Sequence, residues 1–223
     1  MIDRKSYLKQ IDQFYSHRLN RFASIYVGTT PDVLVSYGAP KLPLVIRQSI
    51  LTKCIRKATG SRSAHELPRD VIENLPEQME HPIFLIRDKA RDSIALISDY
   101  QDQNNNSILI AIKLNEDENS MKVNSIKSIY GKASLKEYLQ KNAELQQLHI
   151  IDNKKAERLS RLVGFQLPQA LIASSHNMNL SPGQKNVNNK ISVLDKLESN
   201  KKRIHETHPE KMEKSHERHR ERE

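Results

Sequence analysis

Residues 83–130 constrain this chain most, because they hold four short apolar runs joined by connections too brief for helices. The runs are Ile83–Arg87, Ser93–Asp99, Ile108–Leu114 and Val123–Tyr130, with a turn-rich Asp102-Gln103-Asn104-Asn105-Asn106 segment between the second and third. Successive strands with short links give an antiparallel meander. In the third run Ile108, Ile110 and Ile112 take one face, while Leu109, Ala111 and Lys113 take the other and bring Lys113 out near the strand's end. In the fourth, Val123, Ser125, Lys127 and Ile129 are expected to alternate with Asn124, Ile126, Ser128 and Tyr130.

Upstream the apolar period is helical. Tyr7, Leu8, Ile11, Phe14, Tyr15 and Leu19 recur at three and four, predicting an amphipathic helix within residues 5–21. Ser24–Val27 and Leu42–Ile46 are short strand candidates, Val33–Tyr37 and Arg47–Lys57 helices, and His65-Glu66-Leu67-Pro68 opens a further helix whose last turn Pro76 disturbs. Downstream, Leu135–Leu145 and Lys154–Val163 are helices around a short Leu148–Ile151 strand; Gly164 stops the second, and residues 165–172 fold back over the domain. The fold class is therefore α+β: N-terminal helices packed on a mainly antiparallel sheet of four to five strands.

All eleven aromatic residues of the 223 fall between Tyr7 and Phe165, so core-forming material stops near position 172. The division that follows is an N-terminal helix (residues 1–23), one domain (24–172) and a charged, histidine-rich tail (173–223). From residue 174 onward the chain has eleven Lys or Arg against eight Asp or Glu, five of the nine histidines and no aromatic, a composition that stays disordered or weakly helical. Residues 184–197 are the helical candidate there. Tail histidines come in pairs three apart, His205 with His208 and His216 with His219, a spacing that permits metal capture but is usual for a solvated tail. No metal site or cofactor is assigned.

A net charge of +9 and a pI near 9.5 suit a polyanionic partner such as nucleic acid. The lone Cys54, expected buried on its helix, leaves no internal disulfide and fits a reducing compartment. No apolar run reaches the roughly 18 residues of a membrane span, and the N-terminus leads into no signal core; a cytoplasmic chain with no membrane partner is expected. Gly28-Thr29-Thr30 lacks the second glycine and the Gly-Lys-Ser/Thr ending of a phosphate-binding loop.

Ser128-Ile129-Tyr130-Gly131-Lys132 places a hydroxyl, a phenol and an amine at one strand end. Metal-free RNA cleavage needs a base for the 2′-OH proton, donors or cations for the phosphorane, and an acid for the leaving oxygen. His65 suits the proton transfer, because an imidazole titrates near neutrality unaided. Lys113 and Lys132 supply charge, Gly131 leaves room for a phosphate beside Lys132, and Ser128 and Tyr130 orient the substrate. Arg87, Arg91 and Lys127 are expected to add phosphate contacts. His81 reads as a loop residue and His149 as a strand histidine that, if exposed, could serve as a second acid. Each of these residues is also of a type that serves in a purely structural capacity.

Val27-Gly28-Thr29-Thr30-Pro31-Asp32-Val33-Leu34, the His65-Glu66-Leu67 opening, Leu75-Pro76-Glu77-Gln78, Ile110-Ala111-Ile112-Lys113-Leu114 and Val123-Asn124 through Lys132 resemble, in order and spacing, the phage MuF C-terminal domain. The resemblance covers about residues 24–165. It implies helices on a four-stranded antiparallel sheet, and a place beside barnase, EndoU, colicin and RelE-like nucleases. On that basis the expected activity is a metal-independent, toxin-like endoribonuclease of bacterial or phage origin, acting on RNA over one sheet face and restrained by an acidic inhibitor or antitoxin. Glu66 stands where the family pattern often has glycine. The competing expectations are a non-catalytic nucleic-acid-binding module and a phage or mobile-element interaction domain.

Overall fold

A computed structural model describes residues 4–20, 22–57 and 65–178. The candidate helix at 184–197 and the paired tail histidines lie outside these residues. The elements run α1 (Arg4–Tyr15), β1 (Ser24–Thr29), α2 (Asp32–Ser36), β2 (Pro43–Arg47), α3 (Gln48–Ile55), α4 (Arg69–Glu73), α5 (Leu75–Glu80), β3 (Phe84–Asp88), β4 (Ser93–Gln101), β5 (Ser107–Glu118), β6 (Met121–Gly131), α6 (Leu135–Glu144), β7 (Leu148–Ile150), α7 (Asn153–Val163) and α8 (Gln169–Met178). This is the α+β fold expected, with more strands.

One seven-stranded sheet has the order β1-β2-β6-β5-β4-β3-β7. Its centre is the antiparallel β3–β4–β5–β6 meander. The count exceeds four to five because the antiparallel β1–β2 pair joins through a parallel contact, Leu44 to Ile46 of β2 against Asn124 to Ile126 of β6, and β7 adds to β3. Strands β5 and β6 are longer than their apolar cores suggest. Their tip is a two-residue turn in which Asn119 and Ser120 both have positive φ, 49° and 64°, the twist that a tight hairpin requires.

Each sheet face carries its own core. On the first, Tyr7 and Ile11 of α1, Leu51 and Cys54 of α3 and Met79 of α5 meet the isoleucines of β5, which follow the 108, 110, 112 alternation. On the second, Leu135 and Leu139 of α6 and Leu159 of α7 cover Leu109, Ile97 and Phe84, and Phe165 closes the end. Pro76 does not disturb a helix end; Asn74 separates α4 from α5 and Pro76 lies in the first turn of α5, where its missing N–H is no loss.

Alternation along β6 fails at one point. Ala111 is opposite Ser128 but Ile112 is opposite Ile126, leaving Lys127 as the extra residue of a bulge. Ile126 and Ile129 therefore share the first core, contrary to strict alternation, and Ser128 and Tyr130 remain together on the second face.

Candidate functional site at the end of strand β6

The parallel β2–β6 contact stops at Ile126, yet β6 continues to Gly131. Along that remaining edge lies α3, whose Cys54 thiol donates to Ile129 O at 3.4 Å. The last carbonyls of a helix lack intrahelical donors, and here the returning chain supplies them. His65 N donates to Lys53 O at 3.2 Å, Glu66 N to Arg56 O at 3.2 Å and Leu67 N to Cys54 O at 2.8 Å. Glu66 turns the chain with a φ of 46°. These bonds set the His65 ring on Tyr130, centroids 5.3 Å apart and planes 29° from parallel.

Burial, reinforced by the Lys53 charge, lowers the His65 pKa from 6.5 and keeps the imidazole neutral near pH 7. Its Nε2 is enclosed without a hydrogen-bond partner. Burial raises the Tyr130 phenol. Tyr138 of α6 is pushed up to about 12, chiefly by burial and then by the neighbouring Tyr130 and Asp88. Lys132 Nζ lies 5.2 Å from the centre of the Tyr138 ring, a cation over an aromatic face. A neutral imidazole, two protonated phenols and an ammonium thus follow one another from the sheet edge to the start of α6.

Of the residues singled out from sequence, His65, Ser128, Tyr130 and Lys132 come to this strand end. Ser128 is opposite Ala111 and Tyr130 opposite Leu109, on the same face. Lys113 lies elsewhere. Because β5 runs on to Glu118, Lys113 is mid-strand, four positions from Leu109, a separation of about 13 Å along β5. Its Nζ donates to Arg91 O. Lys127 pairs with Glu116 at 2.5 Å. Arg87, its side chain 11% exposed, pairs with Asp92 at 2.8 Å and donates to Asp88 O and Ser93 O, holding the β3–β4 turn. Arg91 is exposed and 3.6 Å from Asp88.

Gly131 departs from its expected role. A Cβ there would stand 1.9 Å from Asp102 Oδ2, so the group that the glycine admits is a carboxylate, which repels phosphate. Asp102 in turn accepts from Asn104 N and Asn106 N, both at 2.8 Å, and fixes the β4–β5 loop. His149 packs on Tyr37 with centroids 4.6 Å apart and is opposite Leu85, a residue of the first core, which puts it on the other face from Tyr130. His81 is exposed at the end of α5. Tyr138 was not foreseen; its only sequence signal is the spacing from Leu135 and Leu139, which reads as core.

Among the described residues no three His, Cys, Asp or Glu side chains converge on a metal position, and no helix is long and apolar enough to cross a membrane.

Residues 56–158 match the family model of the phage MuF C-terminal domain. The matched span takes in His65, the whole β3–β6 meander, Lys132 and most of α7, and supports that family for this part of the chain. The Val27–Leu34 segment lies before it. No curated protein and no solved structure matches the chain.

Proposed function

We propose, with the match to the phage MuF C-terminal domain as premise, that this chain is a metal-independent endoribonuclease of toxin type working in a bacterial cytoplasm. The observation that carries the reading is the stacking of His65 on Tyr130 at 5.3 Å, which joins a proton acceptor to a proton donor at one strand end.

In this reading the 2′-oxygen attacks the adjacent phosphorus while the neutral imidazole of His65 takes its proton. With Nε2 enclosed, Nδ1 is the atom assigned that role. Tyr130, its phenol held protonated by burial, donates to a phosphoryl oxygen. The P–O5′ bond then breaks, the leaving oxygen receives the proton from the imidazolium, and the products carry 2′,3′-cyclic phosphate and 5′-hydroxyl ends. Lys132 offsets the phosphorane charge and Ser128 orients the substrate. Lys113, about 13 Å away along β5, serves a phosphate further along the strand with Arg91. An acidic inhibitor fits a face of this charge.

A second reading, nucleic-acid binding without cleavage, draws on the enclosed Nε2 of His65, which leaves the ring one nitrogen for proton transfer. One experiment separates the two. The full chain, His65→Ala and Tyr130→Phe are incubated with mixed RNA in EDTA, with folding checked by circular dichroism. Cyclic-phosphate ends made by wild type, and reduced on the order of 100-fold by His65→Ala, support the nuclease. Intact RNA with salt-sensitive binding overturns it in favour of the binding module.

A further inference from the structure

Past the end of β6, a cleft of about 290 Å³ opens between the β4–β5 loop, the start of α6 and the end of α7. Lys132, Lys136, Asn106, Ser107, Glu137 and Leu162 are among its walls.

Three features of its lining converge. The first-turn N–H groups of α6, those of Leu135, Lys136 and Glu137, precede the first intrahelical bond, which Tyr138 N makes to Ser134 O, and Ser134 gives no side-chain cap. Ser107 is only 6% exposed, lines the cleft, and has no side-chain hydrogen bond among the described residues. Its Oγ is not among the enclosed polar atoms that lack a partner, so the hydroxyl opens to the cleft, where a ligand or water can satisfy it. Finally, Leu162 is 74% exposed, a large apolar side chain that with Leu159 and Val163 gives the cleft an apolar wall on α7. Lys132 and Lys136 outweigh Glu137 in charge. The nearby Asp102 already accepts from Asn104 N, Asn106 N and Asn106 Nδ2.

We propose that this cleft is a nucleotide subsite: a phosphate is held by the α6 N-terminal N–H groups, Ser107 Oγ, Lys132 and Lys136, with its base against Leu162. The inference deepens the RNA reading and rests on it. Lys132 is the hinge between the two, because its ammonium lies over Tyr138 and also lines the cleft. The substrate is therefore gripped at a phosphate other than the one that is cut.

The test is binding, read apart from cleavage. The full chain is titrated with adenosine 5′-monophosphate and, separately, with inorganic phosphate, following backbone NMR shifts and calorimetric Kd. Ser107→Ala and Lys136→Gln are compared with wild type, and Lys89→Gln, on the β3–β4 turn, is the control. Shifts centred on residues 105–107 and 132–137 are expected, with about tenfold weaker nucleotide binding in each cleft variant, no change in the control, and phosphate alone weaker than the nucleotide. Equal Kd across all four proteins, or equal affinity for phosphate and nucleotide, overturns the subsite. Cleaved RNA with nucleotide affinity untouched by both cleft variants overturns the subsite alone. Nucleotide held in the cleft by a chain that leaves RNA intact overturns cleavage alone.

Discussion

Asn124 Nδ2 donates to Thr30 Oγ1 at 2.7 Å, tying β6 to the loop that follows β1. The same amide donates to Pro40 O at 2.8 Å, its oxygen accepts from Asn115 N at 3.0 Å, and the Thr30 hydroxyl passes its own proton to Leu42 O at 2.7 Å. Both residues are buried, 0% and 2% exposed. Asn124 lies opposite Leu44, where the parallel β2–β6 contact begins. This fully bonded amide fastens the β1–β2 pair, and with it α3 and His65, to the meander.

Asn124→Ala removes one side chain and leaves Pro40 O and Asn115 N without these partners. Each buried unsatisfied group costs about 1–3 kcal/mol, so a loss of about 3 kcal/mol is expected. Urea unfolding measures it as a lower midpoint at unchanged slope. A loss under about 0.5 kcal/mol, the size of an ordinary surface change, would show that the amide fastens nothing.

The meander was legible because alternation and turn residues are local signals, and the opposed faces of Ile108 and Leu109 follow from them. The parallel β2–β6 contact was not, since it joins segments some eighty positions apart and leaves no period in the sequence. Nor was the bulge at Lys127, which moves Ile129 into register with Ile126. At the site, His65, Ser128, Tyr130 and Lys132 could be named one by one, but not their surroundings. Tyr138 under Lys132, and Asp102 over Gly131, are tertiary approaches that no spacing encodes.

Gly131 and Asp102 give a sharp test of that approach. Gly131→Ala drives a methyl into the carboxylate, and the loop held by Asp102 must shift, with an expected cost of about 1–3 kcal/mol. Asp102→Ala alone loses the loop's hydrogen bonds. Combining the two removes the contacts to Oδ2 and Cγ and leaves only the Cβ of residue 102 at 2.8 Å, so the double variant should be less destabilised than the two single losses added together. Strict additivity in a double-mutant cycle would mean that the two residues do not touch in solution.

Cys54 should be chemically silent in the native state. It is 1% exposed, and burial pushes its thiol up to about 11, outweighing the Ile129 carbonyl and Lys53. At pH 8 little thiolate forms and no reagent reaches it. A disulfide reagent should titrate one thiol in denaturant and almost none without it. Rapid native reaction would place α3 off the β6 edge and loosen His65 with it.

Stability should rise with pH through the histidine range, and two side chains should account for much of the slope. Burial lowers both His65 and His149 below 6.5, with Lys53 and Lys89 adding to it. Between the lowered native values and 6.5 the unfolded chain binds more protons than the native one, so the stability slope with pH is positive there. The native state is therefore favoured most above 6.5, loses ground as pH falls below it, and the histidine contribution levels off beneath the native values. Urea midpoints from pH 8 to pH 5 for wild type, His65→Gln and His149→Gln measure this. Each variant should flatten the curve by its own share, and the shares should add because the two rings lie on opposite sheet faces. A wild-type slope kept intact in both variants would mean that neither imidazole is held neutral by the fold.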